Sequence, residues 1–111
     1  MAGQAEFNFV GRIARITDLN GVTKVRAIAN YARKRDDGDY EDDPYSVELS
    51  VFGDGRRRYV NEHLSTGDLI RAAGRFKEDS YEKDGERVFG TTFFADKIER
   101  LARPQGKDDL V

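Results

Sequence analysis

The sequence predicts an all-β domain: a five-stranded Greek-key barrel with one short helix between its third and fourth strands. Three observations carry that expectation. Apolar and polar residues alternate with the period of an extended strand in stretch after stretch of the 111-residue chain. Turn signals, Asn20-Gly21 and Asp84-Gly85, fall between such stretches. A single segment, 56–64, carries apolar residues at helical spacing, with three strands before it and two after. Residues 1–102 make one domain, 103–111 a short polar, acidic tail, and 38% apolar residues suffice for one core.

The first strand is 6–16, with Phe7, Phe9 and Ile13 on one face and Asn8, Val10 and Arg12 on the other. Gly11 in its middle predicts a bulge or sharp bend, which a small barrel needs. In the second strand, 22–33, Val25, Ala27, Ala29 and Tyr31 oppose Lys24, Arg26, Ile28 and Asn30. Arg33-Lys34-Arg35 then runs into DDGDYEDD, 36–43, which has nothing to bury and predicts a mobile loop closed by Pro44. The third strand, 45–53, turns Tyr45, Val47, Leu49 and Val51 to the core and Ser46, Glu48, Ser50 and Phe52 outward. Asp54 is placed to cap the helix, whose buried side carries Val60 and Leu64.

After the turn Thr66-Gly67-Asp68, the fourth strand reaches Tyr81. Ile70, Ala72 and Phe76, with Gly74 in line, form its core row; Arg71, Arg75, Lys77 and Tyr81 form its outer row. Residues 82–86 connect it to a last strand, 87–95, and 96–101 continue as strand or turn. Phe93 and Phe94 are adjacent and must face opposite ways, so one ring is left outside the barrel, which predicts a subunit contact.

The formal net charge of −2 conceals an uneven distribution. Segment 36–43 holds six acidic residues, and the tail holds two against one lysine; the remainder carries 18 basic and 13 acidic residues, a net of +5. A basic outer row ending on an aromatic ring suits single-stranded nucleic acid, since cations follow phosphates and a ring stacks on bases. Arg12, Lys24, Arg26, Arg33, Lys34 and Arg35 extend the cationic candidates, and Phe52 adds a second exposed ring. Each basic residue taken singly also fits an ordinary solvated strand face.

Other chemistries find no support. There is no cysteine and one histidine, His63, which sits on the short helix and reads as a packing or interface residue. No enzyme, metal or cofactor is expected: the acidic run lacks calcium-loop spacing, with Asp42 where glycine would be needed if Asp37 were the first ligand. Gly53-Asp54-Gly55 has no third glycine in register for a dinucleotide fingerprint. No apolar stretch of membrane-spanning length and no secretory leader occur, which leads to the expectation of a cytoplasmic protein.

Three strands, a helix and two strands is the order of an OB-fold, a barrel that commonly binds oligonucleotides. Over about residues 7–101 the chain also resembles the bacterial single-stranded DNA-binding proteins. The resemblance rests on Phe9-Val10-Gly11-Arg12-Ile13, on Val47 to Gly53 with its Phe-Gly end, and on His63-Leu64-x-x-Gly67-Asp68 followed by Gly74-Arg75. Tyr81-x-x-Asp84-Gly85 completes it. It implies a homotetramer that coats single-stranded DNA with little sequence preference, associates with the nucleoid, and serves replication, recombination or repair.

The family's stacking aromatics fall on Phe52 and Tyr81. Two further aromatic positions fall on Ser46 and near Arg33, with Tyr45 and Tyr31 only nearby, and the chain has no Trp. In place of the family's long linker stands PQGKDDLV. Its tip, Asp108, Asp109, Leu110 and Val111, resembles the acidic-then-apolar end through which family members recruit replication and repair proteins. One reading is thus a diverged, truncated-tail family member. The other is an OB-fold protein–protein adaptor of weakened DNA affinity, docking through 36–43.

Overall fold

A computed structural model of the chain describes residues 2–104. Five strands and a helix follow in the order β1 (Glu6–Leu19), β2 (Val22–Lys34), β3 (Tyr40–Val51), α1 (Asp54–His63), β4 (Leu69–Lys83) and β5 (Glu86–Ala102). Around the closed barrel the order is β1-β2-β3-β5-β4, the OB-fold that the sequence predicts. All neighbours are antiparallel except β3 and β5, which meet in parallel through Leu49↔Phe93 and Ser50↔Phe94. The inward rows supply Ile13, Val25, Ala27, Leu49, Val51, Ile70, Ala72 and Ala95, and α1 and its exit close one end with Val60 and Leu64. Burying each of the larger aliphatic side chains contributes about 1.5–3 kcal/mol.

Helix α1 is tied down by a polar cluster at the β1–β2 turn. Asp18 Oδ1 accepts from Thr23 Oγ1 at 2.7 Å and from Arg57 Nη2 at 2.9 Å, and Asn61 Nδ2 donates to Thr23 Oγ1 at 3.3 Å. These bonds, that from Thr23 foremost, hold the Asp18 carboxyl below the usual carboxylate range. Asp54 does not cap the helix as expected. Gly53 is the N-cap and no side chain bonds there, so Asp54 acts only as an acid in the first turn.

Strand ends differ most from expectation. The acidic run is the end of a hairpin: β2 and β3 stay paired out to Lys34↔Tyr40, leaving a turn of only 35–39. A two-stranded ribbon is held by its backbone ladder and needs no apolar row, so the pairing continues where hydrophobic alternation has stopped. Pro44 is accommodated because β3 meets β5 only at Leu49 and Ser50, which makes it an edge strand at that height. Of the two expectations for 96–101, strand or turn, the structure has the strand: β5 runs to Ala102. The extra residue of β1 is Ala14, where register shifts between Ile13 and Arg15, and not Gly11. Gly11 serves close packing: a Cβ there would lie 2.5 Å from the Ile28 carbonyl oxygen and 2.7 Å from Phe9 Cζ.

Two arms therefore project from the barrel, the β2–β3 ribbon (29–45) and the β4–β5 ribbon (76–93). Tyr45 and Phe76 keep the parity of the core rows, but both lie beyond the barrel on these arms and are exposed. Tyr45 packs on Tyr31 with centroids 4.7 Å apart and the rings tilted by 50°, while Phe76 and Phe7 pack on Phe93 at 5.9 and 5.3 Å.

Candidate nucleic-acid interface

Lys24 and Ser50 face each other across β2 and β3, and Ser50 faces Phe94 across β3 and β5. Phe94 in turn faces Arg75 across β5 and β4. These pairings place one side chain from each of four strands in a row on the outward face of the sheet, where Ser50, expected to be exposed, is itself buried. Phe52, just past the end of β3, leans on Phe94 with ring centroids 5.8 Å apart and stays 43% exposed. The Arg75 guanidinium carbon lies 5.2 Å from the Phe94 centroid and Lys77 Nζ 5.7 Å from it, both within cation–π range. Lys24 Nζ donates to Ser50 Oγ at 2.7 Å. Arg56, at the start of α1, donates from Nη1 to the Phe52 carbonyl oxygen at 2.8 Å. The result is an aromatic platform with cations along its edge.

Asp96 is the negative member. It accepts from Arg75 Nε at 2.9 Å and from Nη2 at 3.1 Å, a two-pronged pair. The Arg75 hydrogen bond is the main reason the Asp96 carboxyl is held below its usual range, and the same bond raises Arg75. A shallow cleft of about 270 Å³ lies between Ser50, Phe52, Arg56, Arg75, Phe94 and Asp96. A larger one of about 880 Å³ continues from Arg56 and Asp96 along α1, past Tyr59, Arg71 and Lys97.

The sequence candidates divide accordingly. Phe52, Lys24, Arg75 and Lys77 come together at the platform. Arg71 lies in the adjoining cleft, its Nε donating to Asn8 Oδ1 at 3.3 Å. Tyr81 is on the same face of β4 as Lys77 but four residues out along the arm, about 13 Å away at strand rise. Arg26 faces Glu48 one step from Lys24. Arg33, Lys34 and Arg35 stand at the far end of the β2–β3 arm, where Arg33 pairs with Glu41 and Arg35 with Asp37. Arg12 is drawn into the fold, donating to the Gly67 carbonyl oxygen at 3.0 Å. Asp108, Asp109, Leu110 and Val111 lie outside the described residues.

Phe94, Arg56 and Asp96 were not among the candidates. The Phe93-Phe94 doublet does signal an outward ring, and within the chain that ring packs against Phe52. His63 is exposed, its ring beside Tyr59 at 5.7 Å, and its carbonyl accepts from Arg100 Nη1 at 2.8 Å. Among the described residues, no group of three or more His, Asp or Glu is placed to hold a metal ion.

The chain matches no protein-family model and no curated protein by sequence. Its structure is nonetheless similar to several solved ones. A mitochondrial single-stranded DNA-binding protein from S. cerevisiae superposes with a TM-score of 0.69 at 18% identity, over 93% of this chain and 100% of that one. A Plasmodium falciparum SSB in complex with single-stranded DNA gives 0.76 at 13%, over 91% and 97%. A small single-stranded DNA-binding protein from Streptomyces coelicolor gives 0.62 at 15%, over 89% and 95%. At these identities the likeness establishes the shared fold.

Proposed function

We propose that this chain is a single-stranded DNA-binding protein, a diverged relative of the bacterial family, that coats DNA with little sequence preference. The observation that carries this reading is the platform: Phe52 leaning on Phe94 and edged by Lys24, Arg56, Arg75 and Lys77. A flat exposed ring offers stacking to any base, and cations beside it meet the phosphates on either side. Stacking and phosphate contact carry no base-edge information, so a site that works through them has weak sequence preference. That solved proteins of the same fold bind single-stranded DNA supports the reading. Replication, recombination or repair is the setting such coating serves. Self-association, with a tetramer favoured, belongs to the same reading, and exposed apolar side chains at Val10 and Phe89 offer surface for it.

Fluorescence anisotropy with labelled oligo-dT and a matched duplex, repeated from low to high salt, tests the proposal. The single strand is expected to bind more tightly, with a log–log salt slope of roughly −0.7 per neutralised phosphate. Phe52→Ala should weaken binding by about 1–3 kcal/mol with an unchanged thermal melt. Light scattering on the same sample should give a mass of several chains. Equal affinity for duplex, or a melt that falls with Phe52→Ala while affinity holds, would return Phe52 to a packing role and leave the protein–protein adaptor.

A further inference from the structure

Arg75 is placed in a way that a plain phosphate contact does not require. A guanidinium that follows a flexible backbone gains from freedom; this one is held at both ends of its fork by Asp96 and lies over the Phe94 ring. Asp96 reaches it through an irregularity in the sheet. Between Ala73↔Lys97 and Gly74↔Ala95 the register of β4 and β5 shifts, and Asp96 is the unpaired extra residue of β5. A bulge of this kind re-aims one side chain. It also depends on Gly74: a Cβ there would fall on the Phe94 carbonyl oxygen and within 3.0 Å of Asp96 Oδ2. Glu6, which faces Arg75 from β1, is exposed and instead receives Gln4 Nε2 at 3.4 Å.

We infer that Asp96 is a positioning residue, which fixes the Arg75 guanidinium as a second flat surface for a nucleobase beside Phe52. The inference rests on the reading of this face as a single-stranded DNA site. Bases stack on guanidinium planes as they do on aromatic rings. The charge consequence is equally specific: held by a two-pronged carboxylate, Arg75 contributes little to counterion release, while Lys77, whose one carboxylate neighbour, Asp79, stands 3.9 Å away, contributes more. Lysine cannot replace such an arginine, because an ammonium has neither the fork nor the plane.

The experiment compares wild type, Arg75→Lys, Asp96→Asn and Lys77→Gln on oligo-dT from 0.05 to about 1 M NaCl, a range over which the screening length falls several-fold. At the highest salt, where the electrostatic part is small, Arg75→Lys and Asp96→Asn should each bind about five- to tenfold more weakly than wild type, as for loss of one stacking surface. Asp96→Asn should also steepen the salt slope by roughly 0.7, because a paired cation has been released. Lys77→Gln should flatten the slope and leave high-salt affinity near wild type. Melting curves should stay close together, since exposed ion pairs contribute little to stability. Arg75→Lys indistinguishable from wild type at every salt would make Arg75 a point charge and overturn the inference. Asp96→Asn tighter at every salt would show Asp96 to be merely repulsive and would overturn it equally. Wild type that ignores oligo-dT would remove the proposed function itself and the inference with it.

Discussion

The β2–β3 arm and the β4–β5 arm are both ribbons that outrun the barrel, but they are rooted differently. The β4–β5 arm begins in a three-ring cluster, Phe7, Phe76 and Phe93, that continues the core row and takes one ring from β1. The β2–β3 arm has at its base Tyr31 and Tyr45, in tilted contact with each other but 59% and 56% exposed. An isolated two-stranded ribbon is marginal in water, so the first arm borrows stability from the barrel and the second depends mainly on its own ladder. In charge they agree. The β2–β3 arm carries three basic and six acidic residues, the β4–β5 arm three and five, whereas the described barrel residues carry twelve basic and eight acidic. Arm cations sit near carboxylates, Arg33 with Glu41 and Arg35 with Asp37 on one, Lys77 with Asp79 and Arg87 with Glu82 on the other. The net positive charge of the described residues therefore lies on the barrel, and under the proposed function the arms would set how far from it a strand is followed.

The difference in rooting should be largest in stability. Phe93→Ala is expected to cost about 2–4 kcal/mol in urea denaturation, near the lower end for a large ring in a core because Phe93 is only half-buried. Tyr45→Ala should cost under about 1 kcal/mol, as surface changes do. Equal losses would mean that both arms are integral to the barrel. Next in size is an affinity contrast. Tyr81→Ala should weaken oligo-dT binding by about 1–2 kcal/mol, since Tyr81 shares a face with Arg75 and Lys77. Tyr31→Ala should change it by under about 0.5 kcal/mol; a matching loss would put the strand along both arms.

The smallest effect concerns the acidic tip. Converting the six acids of 36–43 to Asn or Gln moves the formal charge from −2 to +4. Binding should tighten by roughly tenfold or less at low salt and converge with wild type near 1 M, where the screening length is about 3 Å. No change in affinity or salt dependence would place this tip off the DNA path and favour a docking role for it.

How much of this was legible follows from what is local. Strand parity and the Asn20-Gly21 and Asp84-Gly85 turns are written in neighbouring residues, and the structure keeps them. The start of β3 was not legible, because ladder pairing in a ribbon wet on both faces leaves no hydrophobic pattern. Phe52 stood out as the one ring in a polar row. Its partner did not, since Phe52 and Phe94 meet only through the parallel register Ser50↔Phe94, a pairing between distant parts of the chain. Arg12 had the right charge and face, and only the approach of Gly67 reveals that it is spent on a backbone carbonyl.

That parallel junction has a consequence for how the molecule opens and closes. Leu49↔Phe93 and Ser50↔Phe94 are its only ladder pairs among the described residues, and the two strands are joined through α1 and β4. Contacts that close so long a loop form late in folding and for a large entropic cost, so this seam is where the barrel should first part. Phe52 belongs to one side of it and Phe94 to the other. A strand lying over both rings would act as a staple across the seam, and by mass action its occupancy would be read as slowed amide exchange along β3 and β5. Coating DNA and keeping the barrel shut would then be one equilibrium seen from two sides.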